Sequence, residues 1–541
     1  MRLLFYLLIF CSVNIASAQN PTIGLIHYTD EVTAGYTLVA PYGSNETYLI
    51  DECGFIVNQW TCEGYVNNSI YLLEDGSLLR PSKNVNSFES STETIIERKS
   101  WDDDLLWRYV TSDENGLQHH DIELLPNGNI LFIKFQHYED SLLVELGRDP
   151  NTLGFTEPEI LQIKEVMPTG LNTGDIVWQW NIIDHLVQNF DATKQNYGEL
   201  SEHPQLMNIN YNLNLLVGME DWMHINGIEY LADRDQILLS SRHTSELYII
   251  DHSTTTEQAA TNIGGNSGKG GDFLWRWGNP QVYGIGDNSI RQLWGQHDPK
   301  LIQEGYPYEG MISVFNNGDQ RGSYSSVSIL NPVLEADGNY ETLNDGTYSP
   351  ESLSFNWEGE VLDTVFYSQY GSGFQILPNG NMMICESRRG RFFELKPDGT
   401  PVWAYQNPEG TFIWDQYTPA FWGLGLFRSE KYLPNYSAFL NRELNPMATI
   451  ESTNILSENC SYNNIVSTQS FQNNIEFALT NNRLTIKGEP IKTIEIYNLL
   501  GELITQNHTN SVIVNAHNQI VIVKYKLLNG SIQTKKLSTF H

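Results

Sequence analysis

HHDIELLPNGNIL, residues 119–131, predicts a strand, a tight turn and a second strand, and its LPNGN turn recurs unchanged in FQILPNGNMMI, residues 374–384. Short apolar runs flank the Asn-Gly pair, which is a strong short-range signal for a β-hairpin. Similar hairpins are predicted for residues 71–80, 228–241 and 312–319. Hairpins that repeat along a chain indicate an all-β ring of blades around an axis.

The repeats predict a β-propeller in residues 19–445. Roughly six units fit between residues 35 and 430, so we expect a six-bladed propeller with long loops. A second recurring element is a pair of aromatic residues with one residue between them, Trp107/Tyr109, Trp178/Trp180, Trp275/Trp277 and Trp403/Tyr405. Residues two apart on a strand share a face. We expect these pairs to pack between neighbouring blades, with stacking on an aromatic ligand as the alternative.

The two ends of the chain differ from the repeats. Residues 1–18 predict a signal peptide, because Arg2, a short apolar run and Ala-Ser-Ala at 16–18 have the required order. Residues 446–462 are rich in Ser, Asn and Thr and predict a linker. Residues 463–541 contain short strand patterns and predict a small β-sandwich-like C-terminal domain. We expect export and no stable membrane span, because the apolar runs are too short to cross a bilayer.

The charge of the chain argues against a nucleic-acid partner. The 541 residues include 65 Asp or Glu against 31 Lys or Arg, which gives a net charge of −34. A protein that binds phosphate backbones needs a basic face. Any anionic substrate must therefore be attracted by a local cationic pocket.

Four cysteines remain after the predicted signal peptide, Cys53, Cys62, Cys385 and Cys460. Export permits disulfides. Cys53 and Cys62 flank a predicted strand, so we predict a local bridge between them, with two free thiols as the alternative. Cys385 follows an apolar run and is predicted to be an inert core thiol.

Candidate chemistry lies at the strand ends of these hairpins. His120 begins the first hairpin, His224 and Arg242 lie in WMHINGIEYLADRDQILLSSR at 222–242, and His297 lies in WGQHDPK at 294–300. If the blades converge on an axis, three imidazoles and a guanidinium would meet there. Such a pocket would bind an anion and could supply a nucleophile. Asn226 shares a strand face with His224.

Strand alternation assigns the neighbouring histidines to other faces. Only one of His119 and His120 can face the axis on a regular strand, and the pattern with Ile122 favours His120. By the same rule His243 faces away from the side that Arg242 uses. The three candidate histidines could alternatively hold a metal ion. We predict no metal, because no carboxylate or thiolate shares their motifs at a ligand spacing and Arg242 would repel a cation.

Taken together, these motifs resemble the arylsulfate sulfotransferase family of secreted bacterial propellers. The resemblance covers residues 35–430 and rests on the stretches above with SELYIID at 245–251, GGDFLWRWGNP at 270–280, GQHDPKLI at 295–302 and residues 374–395. It implies a six-bladed propeller that transfers a sulfuryl group from a phenolic sulfate ester to a phenol, without cofactor or nucleotide donor. It also implies that His297 is the nucleophile, that His120, His224 and Arg242 surround the sulfuryl oxygens, and that Asn226 supports them.

The C-terminal segment resembles the type IX secretion sorting domain. The resemblance rests on IKTIEIYNLLGELI at 491–504, QIVIVKYKLLNG at 519–530 and the basic end at 535–541. It implies a partnership with the type IX machinery and a secreted or cell-surface location, with the periplasm as the alternative. A carbohydrate-binding or adhesion module is the other interpretation of this segment. For the whole chain, the alternative function is a non-catalytic secreted propeller that binds polysaccharide or a protein partner.

Overall fold

The structure is a computed structural model that describes residues 20–84, 93–153, 158–211, 221–419, 422–461 and seven strands between residues 476 and 538. The predicted signal peptide, residues 1–18, lies outside the described residues. The chain divides into two compact units between Ser457 and Glu458, within the predicted linker. No helix in the described ranges is long and apolar enough to cross a membrane.

The first unit is built almost entirely from strands. They are β1 Gly24–Tyr28, β2 Tyr36–Val39, β3 Glu46–Ile50, β4 Ile56–Thr61, β5 Tyr65–Val66, β6 Tyr71–Leu72, β7 Leu78–Asn84, β8 Glu93–Lys99, β9 Leu105–Val110, β10 Gly116–Leu124, β11 Ile130–His137, β12 Glu159–Gly170, β13 Thr173–Asn181, β14 Leu186–Val187, β15 Met207–Asn208, β16 Ile225–Leu231, β17 Gln236–Ser241, β18 Glu246–Asp251, β19 Trp275–Trp277, β20 His297–Leu301, β21 Ile312–Asn316, β22 Ser326–Leu330, β23 Phe355–Trp357, β24 Glu360–Val361, β25 Thr364–Val365, β26 Gly373–Ile376, β27 Met382–Glu386, β28 Arg391–Leu395, β29 Pro401–Gln406 and β30 Glu430–Tyr432. The prediction of a mostly β protein is confirmed.

Helices are few and short. They are α1 Asp140–Glu145, α2 Thr256–Ala259 and a third α-helix whose described part is residues 455–461. The α2 helix begins at a capping box, because the side chains of Thr255 and Gln258 each bond to the other's backbone N–H. Short 3-10 turns connect strands at Pro150–Thr152, Ile182–Asp184, Leu200–Glu202, Pro280–Tyr283, Ser387–Arg389, Trp422–Leu424 and Ser437–Phe439.

Six antiparallel sheets of four or five strands make up the main part of the first unit, within its described residues. We number them along the chain: sheet 1 (β30-β2-β3-β4), sheet 2 (β5-β7-β8-β9, with β6 paired to β7), sheet 3 (β10 to β13), sheet 4 (β16 to β19), sheet 5 (β20 to β23) and sheet 6 (β1-β29-β28-β27-β26). The predicted hairpins are formed as β10–β11, β16–β17 and β26–β27. Sheets 1 and 6 each combine strands from the beginning and the end of the unit.

Apolar cores join each sheet to the next. Continuous buried clusters link sheets 1 and 2, 2 and 3, 3 and 4, 4 and 5, and 5 and 6. Between sheets 6 and 1, Lys431 Nζ of β30 lies 2.6 Å from Glu394 Oε2 of β28, and both side chains are fully buried. The contacts between neighbouring sheets thus lead from sheet 1 through to sheet 6 and back to sheet 1.

Tryptophans also tie five of the six sheets to a neighbour. Each indole N–H donates to a backbone carbonyl in a strand of the next sheet or in a loop between its strands: Trp60 to Ser100 at 2.8 Å, Trp107 to Thr173 at 3.1 Å, Trp180 to Gly271 at 2.8 Å, Trp275 to Ser349 at 2.8 Å and Trp403 to Glu52 at 2.7 Å. The predicted packing of the aromatic pairs between neighbouring sheets is confirmed for Trp107, Trp180, Trp275 and Trp403, whereas Trp60 belongs to none of the predicted pairs. Buried indole N–H groups need a partner, so each bond also fixes the spacing of two sheets.

The predicted Cys53–Cys62 bridge is wrong. Cys62 and Cys385 are buried free thiols, whereas Cys53 and Cys460 are both disulfide-bonded. Cys62 lies beyond the end of β4 and joins the apolar core between sheets 1 and 2. Flanking one strand therefore did not identify the pair, because a disulfide depends on three-dimensional proximity.

The second unit, Glu458–His541, contains seven strands. They are β31 Glu476–Thr480, β32 Arg483–Lys487, β33 Ile491–Tyr497, β34 Leu503–Asn507, β35 Ser511–Ile513, β36 Ile520–Leu527 and β37 Ile532–Ser538. They form a three-stranded sheet, β31-β32-β35, and a four-stranded antiparallel sheet, β34-β33-β36-β37. Ile494, Ile496 and Val523 are buried in this unit.

The buried ion pair between Arg276 and Glu246 in sheet 4 allows the packing of the first unit to be tested. Arg276 Nε donates to Glu246 Oε1 at 2.9 Å, both side chains are fully buried, and Tyr283 lies 4.5 Å below the guanidinium. Removing one partner leaves the other charge buried without compensation. We predict that Arg276→Met destabilises the protein by about 3–5 kcal/mol.

The measurement is the thermal unfolding midpoint of Arg276→Met and of the double variant Arg276→Met/Glu246→Gln. The double variant should recover part of the loss, since it removes the orphaned charge. A double variant no more stable than the single one would contradict this account of the pair.

Candidate functional site

The site is formed by a backbone feature that recurs within or next to the first strand of neighbouring sheets. His120, His224 and Asp298 have φ angles of 52°, 53° and 54°. Asn68 and Ser372 occupy the corresponding places in sheets 2 and 6, with φ angles of 77° and 85°. Left-handed backbone is uncommon for residues other than glycine, and it clusters at functional sites.

Each of the three kinks in sheets 3, 4 and 5 coincides with a shift of strand register. The shifts lie between Gln118 and Ile122 in β10, between Ile225 and Gly227 in β16, and between His297 and Lys300 in β20. A bulge re-aims the side chains beside it. The sequence repeat thus produces the same local turn in three sheets.

The kinks bring together the three histidines predicted from the sequence. His120 Nε2 and His224 Nε2 are 2.9 Å apart, and the rings of His120 and His297 have centroids 6.2 Å apart. Phe427 packs against both His120 and His297, at 5.3 and 6.0 Å between centroids. Three imidazoles from three different sheets therefore share one pocket.

Arg242 lies beside these imidazoles, as the hairpin predicted. Its backbone N–H donates to His224 O at 3.0 Å, and its Nη2 donates to Asp319 Oδ2 at 3.1 Å. The side chain is about one-fifth exposed. Its Nε is buried and has no hydrogen-bond partner among the described residues. The guanidinium thus keeps a donor available for an anion.

The alternation rule is wrong at His119 and His243. His119 lies 4.0 Å from His120 and 5.0 Å from His224 between ring centroids, because the bulge in β10 turns both rings to the same side. The ring of His243 lies 4.9 Å from that of His224, and Arg242 Nη1 approaches its Nε2 at 3.5 Å. Five histidines, not three, surround the pocket in the described part of the chain.

Asn226 is fully buried and linked to the loop that carries His297. Its Nδ2 donates to Gln296 O at 2.8 Å, while its Oδ1 has no partner among the described residues. The amide nitrogen is already committed. Asn226 therefore holds β16 and β20 together, and the substrate-binding role expected for it stays a prediction.

Hydrogen bonds determine which nitrogen of His297 carries the proton. Nδ1 faces two acceptors, Gly295 O at 3.1 Å and Asn317 Oδ1 at 2.8 Å. Asn317 is oriented by its Nδ2, which donates to the carbonyls of Ser368 at 2.8 Å and Gly371 at 3.0 Å. Nδ1 must therefore be the N–H donor. Nε2 keeps its lone pair and accepts from the Gly371 N–H at 3.2 Å.

A directed chain of hydrogen bonds links the other two histidines. Tyr42 Oη donates to Asn68 Oδ1 at 3.2 Å, which turns Asn68 Nδ2 toward His120 Nδ1 at 3.1 Å. His120 can then donate from Nε2 to His224 Nε2. His224 Nδ1 in turn donates to Asp221, whose other oxygen accepts the His224 backbone N–H at 2.8 Å. Asp221 thus holds His224 in one tautomer.

The electrostatics keep these imidazoles neutral. Burial, followed by the positive charge of Arg242, lowers the pKa of His224 to about 3 and the pKa of His297 well below its usual value. Burial, followed by the neighbouring histidines, has the same effect on the pKa of His120. Removing a cation from water and placing it near another cation both disfavour the charged form.

Two of the orienting residues were not identified from the sequence. Asn317 lies in the predicted hairpin stretch ISVFNNGD, and Asp221 stands three residues before His224. Asp221 also corrects the statement that no carboxylate accompanies the histidines. Two groups of side chains could each hold a metal ion, because the ligand atoms within each group lie within 4.8 Å of one another. The groups are His119/His120/His224 and Asp221/His224/His243.

The comparisons with known proteins agree with these motifs at the family level. No curated protein sequence matches the chain. Among solved structures, a Bacteroides caccae protein of unknown function is 14% identical, with a TM-score of 0.36 over 69% of this chain and 94% of its own. The periplasmic gluconolactonase of Pseudomonas aeruginosa is 9% identical, with a TM-score of 0.35 over 94% and 100%. Similarity at this level assigns no activity.

The family comparison is more specific. The model of the arylsulfotransferase (ASST) family matches residues 43–340. The match covers more than half of the chain and includes the kinked strands that carry His120, His224, Arg242 and His297. This chain belongs to the arylsulfotransferase family.

Proposed function

We propose that the protein transfers a sulfuryl group from a phenolic sulfate ester to a phenol through a sulfohistidine on Nε2 of His297. The observation that carries the proposal is the locked tautomer of His297. Its Nδ1 proton is held between Gly295 O and Asn317 Oδ1, so Nε2 presents a lone pair to the pocket. A neutral, oriented imidazole is a competent nucleophile.

In the first step, Nε2 of His297 attacks sulfur. The N–S bond forms, the S–O bond to the donor breaks, and its electron pair leaves on the phenolate. To open Nε2, the sulfuryl group must displace the Gly371 N–H, which lies 3.2 Å away. That N–H and the guanidinium of Arg242 are then placed to donate to sulfuryl oxygens. Deleting one such donor in other enzymes costs about 2.7–4 kcal/mol of barrier.

In the second step, an acceptor phenol attacks sulfur and the N–S electron pair returns to His297. The proton of the acceptor passes to Nε2 of His224, which gives up the hydrogen bond from His120, while Nδ1–H stays bonded to Asp221; the proton then leaves to solvent or to the departing phenolate, which restores neutral His224. A bound sulfuryl anion and the Asp221 carboxylate both favour the resulting imidazolium. Because donor and acceptor react in turn through one intermediate, we expect ping-pong kinetics.

The six sheets of the first unit are the blades of one six-bladed propeller in this proposal. Its support is the cyclic order of the inter-sheet cores, together with the Lys431–Glu394 pair between sheets 6 and 1. The first strands of the sheets then line the axis. This arrangement accounts for the meeting of His120, His224 and His297 in one pocket.

The intermediate can be tested by intact-protein mass after brief exposure to a chromogenic aryl sulfate without acceptor. We predict one added sulfuryl group on the unmodified protein, and neither adduct nor turnover for His297→Asn. The matched control is His137→Asn, because His137 lies outside the cluster with its Nε2 4.0 Å from Glu159. An adduct in His297→Asn would remove His297 as nucleophile. If the unmodified protein releases no phenol from the donor, the result would favour a non-catalytic binding propeller.

Because the pKa of His297 is lowered, we predict that the rate constant of the first step, in which the donor releases its phenol, does not fall as the pH is lowered. An ordinary histidine, with a pKa near 6.5, would lose most of its free lone pair between about pH 7 and about pH 5. Because burial and Arg242 lower the pKa of His297, its Nε2 stays unprotonated over this range. The burst of phenol release, measured by quenched flow, should therefore keep its rate constant. A fall of tenfold or more, with a midpoint near 6.5, would contradict a neutral His297.

We also propose that residues 463–541 address the protein to the type IX secretion machinery, after export directed by residues 1–18. The support is the separate second unit, in which the motif strands β33 and β36 pair directly. The location implied is the cell surface or the medium.

Deleting residues 463–541 tests this address. In a host with a type IX system, the full chain should reach the surface or medium, whereas the shortened chain should stay in the periplasm. Sulfotransferase activity in the periplasmic fraction serves as the control that the first unit has folded. A shortened chain that reaches the outside as efficiently as the full chain would contradict the proposal.

A further inference from the structure

Three arginines on segments next to those that orient His297 each hold the guanidinium over an aromatic ring. We call Arg291, Arg321 and Arg388 the arginine rim. The distances from guanidinium carbon to ring centroid are 3.9 Å for Arg291 over Trp294, 4.3 Å for Arg321 over Tyr324 and 6.0 Å for Arg388 over Tyr370. Stacking fixes the plane of a guanidinium while its N–H edges can still meet an anion.

Arg291 is connected to the nucleophile through Ser245 and Gly295. Its Nη2 donates to Ser245 Oγ at 2.5 Å, and the same oxygen accepts the Gly295 N–H at 3.0 Å. Gly295 O then contacts Nδ1 of His297. Gly295 has a φ of 68°, and an added Cβ would lie 3.1 Å from Asp319 and 3.7 Å from Arg242. Two residues, Ser245 and Gly295, therefore separate Arg291 from His297, and Ser245 alone separates it from Arg242, because Ser245 Oγ also donates to Arg242 O at 3.3 Å.

Arg321 lies on the turn that also carries Asn317. The backbone of this turn rests on Trp294, whose carbonyl accepts the Gly318 N–H at 3.0 Å. Arg321 Nη2 donates to Ser326 Oγ at 3.1 Å, but its buried Nε has no hydrogen-bond partner among the described residues. The turn that orients His297 thus holds a cation with a spare donor.

Arg388 completes the rim from sheet 6. Its Nη1 donates to Gln369 Oε1 at 3.3 Å, and Gln369 Nε2 donates to Asp319 Oδ1 at 3.3 Å. Tyr370, the aromatic partner of Arg388, directly precedes Gly371, whose N–H bonds to His297 Nε2. The ring of Tyr370 is 44% exposed, so it is open to a ligand.

The rim opposes the overall charge of the protein. The chain has a net charge of −34, yet within the described residues no carboxylate forms an ion pair with Arg291 or Arg321. Asp319 pairs with Arg242 and supplies one negative charge to this wall of the pocket. One sulfuryl group needs no more than the donors already at His297. Among the residues that the structure describes, Arg291 and Arg321 therefore lack a carboxylate at ion-pair distance, although Glu246 lies near Arg291 and Glu358 lies near Arg321, and a substrate with a single charge would leave their N–H edges unused.

We propose that the preferred substrates are phenolic compounds that carry a second anionic group, a carboxylate or another sulfate, held by the arginine rim while the phenolic oxygen reaches His297. This inference rests on the proposed sulfuryl transfer and names its substrate class. The ring of such a compound can stack beside Tyr370, and its second anion meets Arg291 or Arg321. Local cationic groups attract anions against a global negative field.

The test compares two acceptors that differ only in a remote charge, 4-hydroxyphenylacetate and 4-hydroxyphenylacetamide, with 4-nitrophenyl sulfate as donor. A methylene separates the charged group from the ring in both, so the phenol is nearly equally reactive. We expect kcat/KM for the acetate to exceed that for the amide by about tenfold, which corresponds to about 1.4 kcal/mol.

Two rim variants, Arg321→Gln and Arg291→Gln, should each lower the acetate-to-amide ratio by severalfold. The matched control is Arg98→Gln, which removes a cation from sheet 2 that is paired with Asp75 at 2.5 Å and should leave the ratio unchanged. The ratio is the readout, so a general loss of activity in one variant does not decide the question. Equal use of both acceptors, or an unchanged ratio in both rim variants, overturns the inference while sulfuryl transfer stands. Failure of every acceptor overturns the proposed function itself.

Discussion

The site depends on one kind of backbone constraint, a left-handed residue within or next to the first strand of sheets 3, 4 and 5. On a regular strand, His119 and His120 would point to opposite faces. The φ of 52° at His120 and the bulge around it put both rings on one side. Such residues cost about 1–3 kcal/mol each, and they persist only where the surrounding structure fixes them. Here the cores between sheets and the outer tryptophans supply that support.

The electrostatic design of the pocket follows from the same convergence. Burying several imidazoles together with Arg242 makes protonation unfavourable, so the cluster remains neutral despite its position in a strongly acidic protein. A neutral imidazole is the form that can act as a nucleophile. The lowered pKa values also reduce the stability of the fold in acid, because these histidines are protonated more readily in the unfolded chain than in the folded protein. The Asn317 amide adds orientation without charge, which preserves the lone pair of His297.

Much of the fold could be predicted from local patterns, because LPNGN turns and alternating apolar residues act over a few residues. The grouping of His120, His224, His297 and Arg242 followed from the repeat. His119 and His243 were misplaced because alternation fails at a bulge. Asn317 and the disulfide bond of Cys53 depend on contacts that no local pattern encodes. Asp221 is local, three residues before His224, but it lies outside the stretch 222–242 from which the motif was taken.

The first unit is closed by strands from both of its ends. Strand β1 completes sheet 6 beside β29, and β30 completes sheet 1 beside β2, so two neighbouring sheets each join segments nearly 400 residues apart in the chain. Contacts of such long sequence separation lose loop entropy before they stabilise the fold, and they therefore slow folding. A nascent chain therefore cannot complete sheet 1 until residue 432 has been made. Until then sheet 1 lacks β30, and the buried Lys431–Glu394 pair that joins sheets 6 and 1 is absent.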